Sequence, residues 1–466
     1  MKKLFALCLA LVLALSLALV ACGDDGSSSA PQSSSGSVSQ SGTSSESTGG
    51  EDPAAEDWGG ITIRISSYWG RDLTPGVSAE QDLFIERVRA VEEKYNCVIE
   101  FPGGPEEYYD NMVTTIMAGE PYGDLMFAFS WYFLDWIKAG AVKDLTSLDI
   151  DFNDPVFSPL SREEGTFRGQ TYGFSSDTND PNSLILFNKR IFEENNLESP
   201  YDLVDKGEWT FAKFKEYAKV LTADTNGDNV TDRWGLTGFD PPWIGVAMVY
   251  GNGGKVVDYS GDTPRFALGD APAMEALDLF YEMLTVDKSI MTVEAGADWT
   301  TGPQAFVDGN AAMFKSEYWV QEWIMGQDMS DEFGVVNMPM GPQASQYADD
   351  QIPAVYFAPV GADDDKTEKA IRAYMEIFQP LYEDMTQAEI LESKYMAVCQ
   401  DERSVQTMVD TVMDGYQLST GVGRAGLNAT VSEIFAAITN GEGTPASIIA
   451  ERSSAIQAEL DERFNF

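Results

Sequence analysis

The strongest constraint on the fold is the regular exchange of strand-like and helix-like apolar patterns in the first 130 residues. Strand patterns lie at 61–65, 98–101 and 125–129, and helical patterns lie at 84–95 and 108–117. The first strand alternates isoleucine with polar residues, and the third is wholly apolar. Strand–helix–strand–helix–strand order at this spacing predicts a parallel sheet covered by helices, and therefore an α/β protein.

Composition removes several classes of function. The chain has 75 acidic residues against 30 Lys and Arg, a formal net charge of −45, which repels phosphate backbones and excludes nucleic acid as an expected partner. It contains no histidine, so catalysis that needs a histidine and His-ligated zinc are excluded. At 466 residues and 44% hydrophobic content, the chain is long enough for two domains with packed cores.

The N-terminus has the pattern of an exported lipoprotein. Lys2 and Lys3 precede an almost wholly apolar run over 4–20, which is typical of a signal peptide spanning 1–21. The run ends in Leu-Val-Ala-Cys, which resembles a bacterial lipobox in which Cys22 is lipidated and becomes the mature N-terminus. Two acyl chains would hold the protein stably at the extracellular face of the cell membrane. An uncleaved membrane anchor is the alternative.

A low-complexity segment follows the lipobox. Residues 22–57 are rich in Ser, Gly, Thr and acids, without apolar periodicity. Such a segment cannot bury enough surface to offset the entropy of ordering, so we expect a disordered linker that acts as a tether. A lipidated cysteine with a long Ser/Gly linker favours a Gram-positive bacterium. Beyond the tether, Cys97 and Cys399 either pair in an oxidising exterior or remain two separate buried thiols.

Several later segments resemble one known family. An aromatic–Gly pair, an apolar strand ending in Asn-Lys, a short helix and a Trp-Thr helix start follow one another within 172–211. Residues 305–313 resemble the family's F-x-x-G-x-A-A-M segment, 335–341 the strand before its Pro-Gly turn, and 438–445 the lead into its last helix. In this order, residues 58–466 resemble extracellular solute-binding protein family 1, which includes sugar-binding lipoproteins of ABC importers and the maltose-binding protein.

The resemblance implies a fold and an activity. The fold is α/β and two-lobed, of the periplasmic-binding-protein-like type II class, with each lobe a sheet flanked by helices and the ligand cleft between the lobes. By position, lobe one takes 58–175 plus 345–400, and lobe two takes 176–344 plus 401–466. The implied protein is not an enzyme. It captures a solute by hinge closure and docks on the transmembrane subunits of an ABC permease.

Candidate ligand contacts follow from the places where strands end, because ligands of open α/β sheets lie beyond the carboxyl ends of strands. Aromatic residues follow the first and third strands, and aromatic–acidic groups recur in lobe two. An indole covers the apolar face of a sugar ring, and carboxylates and amides bind its hydroxyls. A place in the core is the alternative for each tryptophan. The predicted contacts are Tyr68, Trp69, Arg71, Trp131, Asp177, Asp240, Trp243, Glu317, Tyr318 and Trp319.

The loop over 224–232 has the oxygen spacing of a calcium site of the EF-hand type. Asn229 falls where such a loop needs left-handed backbone, which Asn tolerates. Gly235 stands where the usual bidentate Glu would be, so water or a distant ligand must complete the shell. The pattern predicts a structural Ca²⁺, with an Asx-rich surface turn as the alternative. The predicted ligands are Asp224, Asn226, Asp228, Asp232 and the backbone carbonyl of Val230.

These observations predict an extracellular receptor that delivers a carbohydrate to an ABC importer and is attached to the membrane through its lipid alone. Two other interpretations stay open. One is a secreted, calcium-stabilised glycoside hydrolase, and the other is a surface adhesin or sensor protein with the same fold. A G-x-G-x-x-G match at 421–426 does not open a βαβ unit as a dinucleotide site does, and it predicts only a turn.

Overall fold

The computed structural model of the chain describes residues 56–176, 180–261, 263–293, 297–349, 353–380, 385–414, 417–418 and 425–465. Cys22, the signal peptide, nearly all of the tether and Asp177 therefore lie outside the described residues. Most of the glycine-rich match at 421–426 lies outside them as well.

The helices among the described residues are α1 (Ala79–Tyr95), α2 (Met112–Met117), α3 (Ser130–Lys138), α4 (Pro159–Glu164), α5 (Lys189–Glu194), α6 (Pro200–Asp205), α7 (Phe211–Leu221), α8 (Pro241–Gly251), α9 (Ala271–Thr285), α10 (Thr301–Val307), α11 (Tyr318–Met325), α12 (Asp364–Ile377), α13 (Gln387–Tyr395), α14 (Glu402–Met413), α15 (Asn428–Thr439) and α16 (Pro445–Phe464). The strands are β1 (Ile61–Ser66), β2 (Cys97–Glu100), β3 (Leu125–Phe129), β4 (Thr166–Phe167), β5 (Gln170–Thr171), β6 (Leu184–Asn188), β7 (Trp234–Gly238), β8 (Val257–Asp258), β9 (Arg265–Phe266), β10 (Ala311–Ser316), β11 (Phe333–Asn337), β12 (Ala348–Asp349), β13 (Ala354–Phe357) and β14 (Gln417–Leu418).

The lobe-one sheet has the strand order β13-β3-β1-β2. Strand β1 pairs in parallel with both β2 and β3, while β13 returns antiparallel beside β3. This confirms the predicted strand–helix–strand arrangement. The second predicted helix is shorter than expected, because Tyr108 lies in a preceding turn with its buried hydroxyl 3.4 Å from the carbonyl oxygen of Ser66.

The lobe-two sheet has the order β11-β6-β10-β7. Strand β10 is parallel to β7 and antiparallel to β6, and β6 is antiparallel to β11. Alternate side chains of β6 enter cores on opposite faces of the sheet: Ile185 and Phe187 pack on one face, and Leu184 and Leu186 on the other. A sheet buried on both faces needs helices on both, as the predicted α/β fold requires.

Helix α13 and the residues after it pack against the lobe-two sheet. Leu391, Tyr395 and Cys399 share a core with Leu184 of β6. Helix α13 also packs with α14, which covers β11. By contrast, α12 packs into the lobe-one core through residues such as Ile371. The predicted assignment of 345–400 to lobe one therefore differs from the packing at its end, because the apolar face of α13 finds its partners in the other lobe.

Candidate functional site

A group of aromatic rings occupies the carboxyl end of the lobe-one sheet. Strands β1 and β3 are parallel neighbours with Ile65 beside Leu125, so both end at the same edge. Trp69, just after β1, is 65% exposed. The rings of Phe127 and Phe129 support it edge-on from β3, at centroid distances of 5.8 and 6.0 Å. Such a ring is held in place and yet open to solvent.

The two other predicted aromatics of this edge join the same group. The indole of Trp131 in α3 stacks on Phe129 at 4.4 Å with an interplanar angle of 13°. Tyr68 stacks at 5.8 Å on Tyr109, which in turn stacks on Tyr132 at 5.0 Å. We call Tyr68, Trp69 and Trp131, with the rings that support them, the lobe-one edge. Tyr109 was not predicted, because it precedes a short helix and belongs to no motif.

The guanidinium of Arg71 contacts aromatic rings of the lobe-one core. Its guanidinium carbon lies 4.2 Å from the ring centroid of Phe84 in α1 and 5.8 Å from that of Phe378. Its backbone N–H donates to the carbonyl oxygen of Phe101 at 3.1 Å. A guanidinium over an aromatic face gains a cation–π interaction, so Arg71 fastens the 70–76 segment to α1.

A buried ion pair lies at the carboxyl end of the lobe-two sheet. Lys315 of β10 is only 2% exposed, and its Nζ donates to Oε1 of Glu317 at 3.0 Å. The second carboxylate oxygen of Glu317 accepts a hydrogen bond from Nε1 of Trp319 at 2.6 Å. Lys315 was not predicted as a site residue, since a single lysine inside an apolar strand belongs to no motif. The buried ammonium of Lys315 is stabilised here by its ion pair with the Glu317 carboxylate.

Trp319 belongs to an aromatic surface of its own. It is 43% exposed, and its ring lies 5.5 Å from that of Phe239 and 5.2 Å from that of Trp299, which is 41% exposed. Trp299 was not predicted, because it stands in the irregular segment between α9 and α10 and belongs to no motif. We call Asp240, Lys315, Glu317, Trp319 and Trp299 the lobe-two edge.

Asp240 stands beside this group, at the N-cap of α8. Its side chain makes no capping hydrogen bond. Burial raises the pKa of the Asp240 carboxyl above its ordinary value; the Lys315 charge opposes this rise and the Glu317 charge adds to it. Trp243, in the first turn of α8, is partly buried and packs against the lobe-two core.

Both the hydroxyl and the ring of Tyr318 contact charged side chains. Its hydroxyl donates to Glu322 at 2.8 Å, and Nζ of Lys394 lies 4.7 Å above its ring. Burial raises the pKa of Tyr318 far above its ordinary value, and the charges of Glu322, Asp180 and Glu80 add to the rise.

The segment that crosses between the lobes is held at both ends. The backbone N–H and the hydroxyl of Ser176 both bond to the Tyr374 hydroxyl of α12, at 3.0 and 2.9 Å. On the lobe-two side, Oδ1 of the buried Asp349 accepts from the N–H groups of Asn182 and Ser183 at 2.9 and 2.7 Å. Asp177, the predicted contact in this segment, lies outside the described residues.

The predicted calcium loop has part of the expected geometry. Oδ2 of Asp224 accepts from the N–H of Asn229, which has a φ of 68° as expected. Oδ1 of Asp228 accepts from Val230, and Oδ1 of Asp232 from Thr225. In the part of the chain that the structure describes, no three Asp, Glu, Cys or His side chains converge as a metal-binding group. Calcium binding therefore stays a prediction.

Cys97 and Cys399 are both free and buried. Cys97 belongs to the lobe-one core and Cys399 to a lobe-two core. Burial, with a contribution from Glu92, raises the pKa of Cys97 to about 11, and burial, with Asp401, raises that of Cys399 to about 12. Both thiols therefore stay protonated and unreactive near neutral pH. Of the two predicted alternatives, separate buried thiols is the one observed.

A cavity of about 220 Å³ lies elsewhere, between the 119–124 turn and the start of α12. Because β13 runs antiparallel to β3, this cavity is at the sheet end opposite to the lobe-one edge. Glycine, proline and the Lys366–Asp124 ion pair line it. It does not coincide with the exposed rings described above.

The family model for bacterial extracellular solute-binding proteins matches residues 72–376, which is more than half of the chain. The chain belongs to this family. A search of curated proteins finds no match. No helix within the described ranges combines the length and apolar character that a membrane crossing needs.

Solved structures share the two-lobed periplasmic-binding fold. The cyclic α-maltosyl-1,6-maltose binding protein of Arthrobacter globiformis is 14% identical with a TM-score of 0.63, over 87% of this chain and 100% of that one. The GacH receptor of Streptomyces glaucescens, solved unliganded and with acarbose, is 17% identical with a TM-score of 0.61, over 86% and 99%. UgpB of Mycobacterium tuberculosis, in complex with glycerophosphocholine, is 13% identical with a TM-score of 0.61, over 86% and 99%.

Proposed function

We propose that this protein is the lipid-anchored, extracellular receptor of an ABC importer and that its solute is a carbohydrate. The observation that carries the proposal is the pair of exposed aromatic edges. Trp69 in lobe one is mostly exposed, Trp319 and Trp299 in lobe two are about two-fifths exposed, and each of the three contacts further rings. Large exposed apolar surfaces on a folded protein usually mark a binding site.

Sugar recognition fits both the rings and the polar groups. Indole rings stack on the apolar face of a pyranose, and the Asp240 carboxylate, which makes no capping hydrogen bond, can accept hydrogen bonds from sugar hydroxyls. The Arthrobacter protein binds cyclic α-maltosyl-1,6-maltose, the Streptomyces receptor is solved in complex with acarbose, and UgpB is solved in complex with glycerophosphocholine. The aromatic edges and the acidic lobe-two edge favour the uncharged, hydroxyl-rich class.

Capture would proceed by hinge closure of the two lobes around the solute. The closed receptor would then dock on the permease subunits. The apolar leader and Cys22 support a lipid anchor for delivery at the outer face of the membrane. Globomycin-sensitive processing and labelling by a palmitate analogue at Cys22, lost in Cys22→Ser, would be the expected result for the anchor.

A thermal-shift screen of residues 56–466 tests the solute class. The ligands are neutral mono- to tetrasaccharides, glycerophosphocholine, short peptides and polyamines, because a bound ligand raises the melting temperature by mass action. We expect stabilisation by at least one saccharide, recovered chemically intact after incubation. Stabilisation by peptides or polyamines without any saccharide would refute the carbohydrate proposal. Cleavage of the saccharide would favour the hydrolase alternative.

A further inference from the structure

The two residues that follow Asp240 leave its carboxylate without a capping hydrogen bond. The carboxylate of an Asp at an N-cap ordinarily accepts hydrogen bonds from backbone N–H groups of the first helical turn. Here the next two residues are Pro241 and Pro242, which have no N–H, and the N–H of Trp243 bonds to the backbone oxygen of Asp240 instead. Among the described residues, no donor hydrogen-bonds to the Asp240 carboxylate.

Sheet register brings this carboxylate to the ion pair of the neighbouring strand. Gly238 at the end of β7 lies beside Lys315 of β10 in parallel register. Asp240 lies two residues after Gly238, and Glu317 lies two residues after Lys315. Both therefore follow the ends of neighbouring strands, which are about 5 Å apart. The ring contact between Phe239 and Trp319 confirms that the two chain segments stay together beyond the strands.

Glu317, in contrast, has both of its oxygens occupied. One accepts from the ammonium of Lys315 and the other from the indole N–H of Trp319, and the residue is only 8% exposed. Moving it to a ligand would leave a buried lysine without its partner, which is costly. Its geometry fits the task of fixing the Trp319 ring.

We infer that Asp240 is the hydroxyl-accepting, specificity-determining residue of the lobe-two edge, while Glu317 and Lys315 are positioning residues that orient Trp319. This inference rests on the proposed carbohydrate function and deepens it. Two carboxylates against one ammonium leave the edge with a net negative charge. The solute class is therefore a neutral or amino-bearing saccharide, and saccharides with carboxylates or phosphates are rejected.

Isothermal titration with size-matched trisaccharides tests the solute class. The probes are maltotriose and cellotriose as neutral ligands, chitosan trimer as a cationic ligand and trigalacturonate as an anionic ligand. We expect a neutral or cationic trisaccharide to bind and trigalacturonate to bind at least tenfold more weakly. Trigalacturonate binding as tightly as its neutral counterparts would overturn the charge selectivity.

Variants test the division of roles. Asp240→Ala should weaken binding of the preferred trisaccharide about 10- to 100-fold, because a hydrogen bond to a charged acceptor is lost, and Asp240→Asn should weaken it less. Asp270→Asn is the matched control: Asp270 is also an N-cap residue without a capping bond, but it pairs with Arg265 at 2.7 Å. It should bind like the parent protein.

Glu317→Gln should lower the melting temperature and change the fluorescence emission of Trp319. The Trp319 emission is obtained by subtracting the spectrum of the Trp319→Phe variant from that of the protein with Trp319 present. Binding by Asp240→Ala within threefold of the parent protein would overturn the role of Asp240. A loss of affinity in Glu317→Gln equal to that of Asp240→Ala, with unchanged stability and unchanged Trp319 emission, would overturn the positioning role. If no saccharide binds the parent protein, the proposed function itself fails and this inference falls with it.

Discussion

At the scale of single residues, the exposure of an aromatic ring predicts whether its removal will affect ligand binding or the stability of the fold. Trp69 is 65% exposed, whereas Trp58 is buried and stacks on Tyr95 at 4.0 Å. We expect Trp69→Ala to weaken saccharide binding by about 1–2 kcal/mol with little change in unfolding free energy. Trp58→Ala should instead cost about 3–5 kcal/mol of stability. Titration calorimetry and urea unfolding of both variants check this; equal stability losses would contradict it.

A second residue-scale prediction concerns pH. Hydrogen bonds from Arg190 hold the pKa of Asp331 below its ordinary value of 3.8, with help from Asn188 and against the effect of burial. A carboxyl with a lowered pKa stabilises the fold above its unfolded-state pKa, and the stabilisation is lost as the pH falls through the lowered value. Asp331→Asn should therefore cost about 1 kcal/mol at pH 6, the half-exposed Arg190 keeping the effect small.

The measurement is urea unfolding of the parent protein and Asp331→Asn at pH 6 and pH 3. The stability difference between them should shrink at the lower pH. A difference that is constant with pH would show that packing, and not the Arg190 pair, accounts for the loss.

At the scale of elements, Gly245 allows α8, whose N-cap residue is Asp240, to pack closely against α15. A Cβ at Gly245 would lie 2.4 Å from a ring carbon of Phe435. Although Gly→Ala stabilises an exposed helix by about 1 kcal/mol, Gly245→Ala should destabilise this protein by about 1–3 kcal/mol. Adding Phe435→Leu should recover at least half of the loss in urea unfolding. Stabilisation by Gly245→Ala alone would contradict the packing.

The 224–232 loop supports a prediction at the same scale. If its side-chain oxygens bind Ca²⁺, the ion joins the end of α7 to the start of β7, and removing it exposes repelling carboxylates. We expect EGTA to lower the melting temperature by a few degrees and added Ca²⁺ to restore it. Asp224→Asn should abolish this response. A melting temperature that is unaffected by EGTA would leave the loop as an Asx-rich turn.

At the scale of the whole molecule, the last turn of α16 joins the lobes. The helix packs on the lobe-two core through residues such as Ile456 and Leu460. Its end contacts lobe one: Nη1 of Arg463 donates to both oxygens of Asp135 at 2.7 Å, and Nη2 of Arg168 donates to the carbonyl oxygen of Phe464 at 3.0 Å. This contact therefore restrains movement of one lobe against the other.

Arg463→Ala should accordingly lengthen and broaden the distance distribution between the lobes in the solute-free protein. Spin labels on Val98→Cys and Val286→Cys, both exposed positions, report this distance. Arg452→Ala is the matched control, because Arg452 pairs at 3.6 Å with Glu433 within lobe two. Equal distributions for the two variants would show that the α16 contact does not restrain the lobes.

The sequence by itself determined the α/β class, the first three strands and the helix between the first two of them, because period-2 and period-3.6 patterns depend only on near neighbours in the chain. It also brought Trp69 and Trp131 to one edge, since parallel strands end together. Only the tertiary structure decided the lobe of α13, the recruitment of Trp299, and the different states of Asp240 and Glu317. Those outcomes depend on contacts such as β7 with β10, whose residues are more than 70 positions apart and whose meeting no local pattern records.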